Sequence, residues 1–258
     1  MRRPTNILVI FLMAAVYLSI RPALAHQAIE NHGDSQLMMA AYDGDVGKMR
    51  QLLDRGADIN QTNELGFTAL YFAAGATRTQ AAAKGSTEAV KFLLQRGAKV
   101  SSKSNINGYT SLMAACSNQN AGSVALLLKY GEDVNALTKD GRSALTIAAS
   151  LLEPEIVTLL LEHDAHVNGY ADTNGQTPLL AAVAATPYLR FSSPNESKES
   201  VKQNATKLSN ALKVVKLLLS HQAEINIIDR NGQAALDYAI ERGSNNLIEL
   251  LRQTSAHR

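Results

Sequence analysis

The sequence predicts an all-α solenoid of about six helix-turn-helix repeats joined by β-turn fingers, and three observations carry that prediction. A unit of 33 residues recurs with Leu and Ala in fixed columns, and Asn-Gly or Asp-Gly dipeptides fall between the units. The chain is 46% hydrophobic but only 5% aromatic, with no Trp. That composition suits closely packed Ala- and Leu-rich helices better than a sheet of aromatic and β-branched residues. Because a repeat array grows along one axis, 258 residues need not divide into two compact domains.

The N-terminus has a separate purpose. Arg2 and Arg3 form a basic start, Ile7 to Ile20 is an uncharged run, and Ala23-Leu24-Ala25 supplies a small-x-small cleavage signal. Residues 1–25 are therefore read as a secretory signal and 26–33 as a linker. The run of 14 residues is shorter than the roughly 20 that span a bilayer as a helix, so no stable membrane span is expected after cleavage. Cleavage would remove Arg2, Arg3 and Arg21 and no acid, leaving 22 basic against 23 acidic side chains. With no charge excess and no basic cluster to release counterions from phosphates, nucleic acid is not an expected partner. A single Cys116 excludes an intramolecular disulfide framework.

From residue 34 to 254 the chain registers on Ser35, Thr68, Thr110, Ser143, Thr177 and Ala234, at intervals of 33, 42, 33, 34 and 57. The period is 33 with additions of 9, 1 and 24 residues. Two residues after each anchor stands Leu (Leu37, Leu70, Leu112, Leu145, Leu179, Leu236), and five after each stands Ala (Ala40, Ala73, Ala115, Ala148, Ala182, Ala239). An Ala column on one helix face lets neighbouring helices approach, and the Leu column fills the space beside it. The second helix of each unit closes on a Leu pair, from Leu52-Leu53 to Leu250-Leu251. Gly56, Gly97 and Gly131 then offer the left-handed cap that stops a helix, whereas Asp164 and Gln222 depart from it.

Between units, Asn107-Gly108, Asp140-Gly141, Asn174-Gly175 and Asn231-Gly232 favour tight hairpin turns, and Leu65-Gly66 is the weaker member. The next hydroxyl, Thr68, Thr110, Ser143 or Thr177, is placed to cap the following helix, and Pro178 sits where a missing N–H costs nothing.

These segments resemble the ankyrin repeat. The likeness is carried by Thr68-Ala69-Leu70-Tyr71-Phe72-Ala73, Ser143-Ala144-Leu145-Thr146-Ile147-Ala148, Thr177-Pro178-Leu179-Leu180-Ala181-Ala182, Gly56-Ala57-Asp58-Ile59-Asn60 and Gly131-Glu132-Asp133-Val134-Asn135. The repeats run at about 34–63, 64–104, 105–137, 138–171, 172–228 and 229–254. The family's His is absent from every copy, with Met38, Tyr71, Met113, Thr146, Leu180 or Asp237 in its place.

The two large additions, at about 76–86 and 184–210, fall between the first and second helix of a repeat, so they should project from the edge opposite the fingers. In the second, Ser193-Pro194-Asn195-Glu196 reads as a helix start. Val201, Ala205, Leu208, Leu212, Val215 and Leu219 then form one apolar stripe. A single helix over about 194–220 is predicted, overhanging the stack. Two readings of Val201 and Leu208 stay open: cover by Tyr188, Leu189 and Phe191 of the same insertion, or a partner-binding edge.

Candidate chemistry is sparse. His163 and His166 occupy repeat columns at a helix end and just beyond it, and two imidazoles without a third convergent ligand do not make a metal site. Cys116 lies in an interior column with no basic neighbour to activate it. No phosphate loop, nucleophile elbow or paired-carboxylate pattern supports catalysis, and no cofactor is expected. What the resemblance implies is a monomeric scaffold that recognises protein partners through its finger tips and inner-helix face. The contact candidates at the tips are Asn63, Glu64, Asn105, Asn107, Lys139, Asp140, Asp172, Asn174, Arg230 and Asn231, with Val201 and Leu208 on the long helix. The compartment expected from the leader is a bacterial periplasm, with secretion as the alternative. The roles expected are adaptor, inhibitor or immunity protein, or secreted effector.

Overall fold

A computed structural model describes residues 36–75, 80–169, 172–188 and 197–256, with side chains described except at 80–86 and 256. The signal and linker lie outside these residues, as do Ser35, Leu189, Phe191 and Ser193 to Glu196. The described residues form twelve helices: α1 (Gln36–Tyr42), α2 (Val46–Asp54), α3 (Ala69–Gly75), α4 (Gln80–Gln95), α5 (Ser111–Ser117), α6 (Ala121–Lys129), α7 (Ala144–Ser150), α8 (Pro154–Glu162), α9 (Pro178–Ala184), α10 (Lys198–Ser220), α11 (Ala235–Arg242) and α12 (Asn245–Ala256). Odd-numbered helices pack on one another as an inner layer and even-numbered helices as an outer layer.

The inner helices are short because their columns leave little choice. Leu37, Leu70, Leu112, Leu145 and Leu179 are buried, and the six Ala of the second column are fully buried. Thr68, Thr110, Ser143 and Thr177 each accept a hydrogen bond from the amide three residues on, at 3.1–3.3 Å. The last repeat has Ala234 instead, and there Asp237 reaches back to the Ala234 amide at 2.9 Å. Asp237 thus uses the position of the absent His for half a capping box. Thr146 uses it for a bond between its hydroxyl and Ser143 Oγ (3.1 Å), while Met38, Met113 and Leu180 fill it as core.

Neighbouring repeats are stapled by an Asn after three of the outer helices, α2, α6 and α8. Asn60 Oδ1 accepts from the Lys99 amide, Asn135 Oδ1 from His166 and Asn168 Oδ1 from Glu224, each at 2.8 Å. Asn135 and Asn168 also donate to the carbonyls of Asp164 (3.0 Å) and Gln222 (3.1 Å). Those two residues keep the left-handed backbone of the Gly they replace, with φ +62 and +68. Their carbonyls are thereby turned toward the preceding repeat, at some cost in backbone strain.

Both additions extend outer helices at their N-terminal ends. Helix α4 has 16 residues and α10 has 23, against nine in α2, α6 and α8. Helix α10 begins at Lys198, with Ser197 as N-cap accepting from the Ser200 amide at 3.1 Å, so the expected start at Pro194 is corrected. At 1.5 Å per residue it is roughly 34 Å long.

The nine residues added in the second repeat also divide differently from the expectation. Gly56 to Gly97 spans 41 positions, and Gly97 to Thr110 spans 13 where Gly131 to Ser143 spans 12. One added residue therefore lies in the finger, and it is Ile106.

Candidate protein-binding edge

Five fingers line one edge of the stack, at residues 63–67, 104–109, 138–142, 172–176 and 229–233. In each, the first residue closes the turn by donating its amide to the carbonyl of the last, at 2.9–3.4 Å. Its side chain helps: Asn63 Oδ1, Asp172 Oδ1 and Asp229 Oδ1 each accept from two amides inside the turn, and Thr138 Oγ1 accepts from Arg142 N. These are Asx-turns, which spend the side chain on the backbone. Asn63 is 6% exposed and Asp172 8%, so both are turn-forming residues and not exposed tips.

Successive fingers are joined to one another. The amides of Asn105, Lys139, Thr173 and Arg230 donate to the carbonyls of Leu65, Asn107, Asp140 and Asn174, at 2.8–3.0 Å. The Gly that follows each of these carbonyls lets the fingers come this close. At Gly175 (φ +79) a Cβ would stand 2.9 Å from Asp229 Cα, a backbone atom that cannot step aside.

Because the ladder is made of backbone groups, the side chains at the second position of each finger point away from it into solvent. Glu64, Asn105, Lys139, Thr173 and Arg230 are exposed there, as are Asn174 and Asn231 at the third position. The Lys139 ammonium reaches back to the Asn105 carbonyl. Asn107 is half-buried, its Oδ1 accepting from the Tyr109 amide at 3.1 Å. Asp140, also half-buried, accepts from the Thr138 hydroxyl at 2.5 Å and pairs with Arg142 Nε at 2.9 Å. Burial would raise the Asp140 carboxyl, but the Thr138 hydroxyl and the Arg142 charge outweigh it and hold it below the ordinary range. In the last finger, bonds from Tyr238 (2.6 Å), Gln233 and Asn231 likewise outweigh burial and hold Asp229 low. Burial and that carboxylate push Tyr238 up to about 12.

Two edge residues escaped the sequence reading. Ile106 is 57% exposed at the second tip, and Ile228 is 61% exposed just before the last finger. The extra residue between Ser104 and Gly108 was the signal that could have found Ile106. Behind the tips, the residue after each finger Gly runs Phe67, Tyr109, Arg142, Gln176, Gln233. The Phe67 ring stacks on Tyr71 with centroids 4.1 Å apart, and Arg142 lies 5.9 Å over Tyr109. The edge is thus aromatic toward its N-terminal end and amide-rich toward its C-terminal end.

Away from this edge, Val201 is 52% exposed and Leu208 half-buried on the overhanging part of α10. Tyr188 packs on the last repeat: Arg242 sits 3.8 Å over its ring and its hydroxyl donates to Glu241 at 3.0 Å. His163 and His166 are exposed, and His163 Nδ1 bonds the Leu159 carbonyl at 2.8 Å within its own helix end. Among the described residues no group of three or more His, Cys, Asp or Glu could hold a metal ion. Among them, too, no helix is long and apolar enough to cross a membrane. Cys116 is fully buried, and burial together with nearby Glu132 pushes its thiol far above the ordinary range.

Glu132 is the most perturbed carboxyl on these elements. It occupies the column of Ala57, Ala98, Ala165 and Ala223, and its Oε1 accepts from the Leu112 amide at the start of α5, at 2.8 Å. Burial raises it to about 7, against the lowering effect of that bond and one from Thr110.

Comparison with known proteins accords with this architecture. The family model for ankyrin repeats in three copies matches residues 37–138, 78–171 and 120–189, and one for ankyrin repeats in many copies matches 205–252. The chain is 29% identical over 217 residues to the ankyrin repeat protein YahD of Escherichia coli strain K12, covering 83% of this chain and 92% of that protein. It is 33% identical over 153 residues to inversin of Canis lupus familiaris, covering 58% of this chain but 13% of inversin. Among solved structures, the ankyrin repeat protein EF0377 superposes with a TM-score of 0.64 at 26% identity, over 84% of this chain and 96% of that one.

Proposed function

Since the chain belongs to the ankyrin repeat family, whose arrays serve as protein-binding scaffolds, we propose that it is an exported, non-enzymatic adaptor that binds a protein in the bacterial periplasm. The observation that carries this reading is the finger ladder. Five turns are fixed to one another by backbone bonds while their second-position side chains stay exposed. Such an edge presents amide, charged and apolar groups on a rigid frame, so that little loop ordering opposes association. Arg230, Asn231 and Asn174 toward one end and Ile106 at the second finger are the principal contacts, and the Phe67–Tyr71 stack extends the surface inward. The export-type leader, Arg2 to Ala25, supports the compartment, and the relative from Escherichia coli supports only a bacterial setting.

Affinity capture from the envelope fraction tests the reading. The chain is expected to retain a protein, and the double substitution Arg230→Glu with Asn174→Arg is expected to lose about ten-fold or more in affinity, the range of an interface hot spot. An activity assay on the captured protein then divides the roles. An unaffected partner supports the adaptor, whereas inhibition of a bound enzyme or toxin makes the chain an inhibitor or immunity protein. Recovery of the chain from culture medium and not from the envelope would replace both with a secreted effector.

A further inference from the structure

The finger edge leaves the long helix α10 unexplained. Of its 23 residues, none from Lys198 to Asn210 is buried, and burial begins only at Ala211. About 20 Å of helix therefore contributes no fully buried residue, although Asn204, Leu208 and Asn210 are half-buried. Its charge departs from that of the chain: α10 carries five Lys and one acid, Glu199, while the whole sequence holds 25 basic and 23 acidic residues. Four of the five share a face, a basic cluster not seen in the sequence, and Lys207 lies opposite. At about 100° per residue, Lys198, Lys202, Lys213 and Lys216 fall within one sector of about 60°. Exposed Val201 and half-buried Leu208 and Leu212 flank that sector on one side.

The stripe leads into a groove. Where α10 docks beside α8, an open trough of about 620 Å³ is lined by Pro154, Glu155 and Thr158 from α8 and by Lys213, Lys216 and Leu217 from α10. Its wall is mostly apolar and its rim cationic. Glu155 is the one acid there, and among the described residues it is in no ion pair with either lysine.

We propose that α10 and the α8–α10 groove form a second docking surface, on the outer layer, for an acidic segment of a partner protein that carries leucine-like side chains between its carboxylates. Charge complementarity selects the acid, and the Pro154–Leu217 floor selects the apolar side chain. A flat anionic bilayer meets the lysines of the overhang but not the recessed floor, so a protein segment fits the combination better than a lipid surface does. The surface is separate from the finger edge, and either can fail without the other.

The probe is a short labelled peptide of glutamate and leucine with the two residue types on opposite helical faces, compared with a lysine-leucine counterpart and with phosphatidylglycerol vesicles. The acidic peptide is expected to bind the chain, more weakly as salt rises, and the lysine peptide is not. Lys213→Glu with Lys216→Glu, and separately Lys198→Glu with Lys202→Glu, are expected to weaken it about ten-fold or more, while Arg230→Glu leaves it unchanged. Glutamine in place of glutamate at the same positions gives a smaller loss, and thermal unfolding midpoints equal to the parent's separate lost binding from lost folding. Equal binding of both peptides, no effect of the lysine substitutions, or binding to vesicles in preference to the peptide would overturn the proposal.

Discussion

Replacing Leu145 by alanine is expected to destabilise the chain by about 2–5 kcal/mol, the range for truncating a fully buried leucine. Leu145 has no exposed surface, and it lies on α7, which packs against α5 and α9 of the inner layer and α8 of the outer. A solenoid has no other core to absorb the void, because each repeat touches only its neighbours. The damage should therefore fall on the two interfaces at the centre of the stack. Urea unfolding measures it, and a broadened transition would reveal halves that no longer melt together. A loss below about 1 kcal/mol would take Leu145 out of the core column.

The second large effect is a dependence on pH that resides in Glu132. The folded carboxyl titrates at about 7 and the ordinary value is 4.5, so between those limits the folded chain holds a proton that the unfolded chain has released. Stability must then fall as pH rises through that window, by about 3 kcal/mol from this group alone. Below the ordinary value both states are protonated, and above 7 both are ionised, so the curve is flat outside the window. Glu132→Gln keeps an oxygen for the Leu112 amide and removes the titration. Its stability is expected to match the parent's near pH 4.5 and exceed it by up to about 3 kcal/mol at pH 8. Parallel curves for the two proteins would place the pH dependence elsewhere.

The repeat was legible because its columns record packing directly. A Leu or Ala that must be buried in every copy leaves a period, and the caps at Thr110, Ser143 and Thr177 follow from where that period begins. What resisted reading depends on single side chains within the frame. Asn63 and Asp172 look like polar tip residues in sequence, but their oxygens are taken by backbone amides of their own turns, and only coordinates show that. Ile106 was hidden because one added residue in a finger and eight added between Gly56 and Gly97 sum to the same interval. The start of α10 moved from Pro194 to Lys198 because Ser197 offers a cap as good as Ser193, and local propensity does not choose between them. Glu132 was not singled out in the sequence, although an acid in the column of Ala57, Ala98, Ala165 and Ala223 was the signal that could have found it.

If the proposed function holds, the finger edge is where this scaffold meets its partner. Photoreactive residues installed singly at Asn174, Arg230 and, as a control on the exposed face of outer helix α4, Lys91 probe that edge in cells producing the chain. Adducts to one protein from Asn174 and Arg230, and none from Lys91, are the predicted result. Adducts from Lys91 as strong as those from the fingers, or none from the fingers at all, would contradict it.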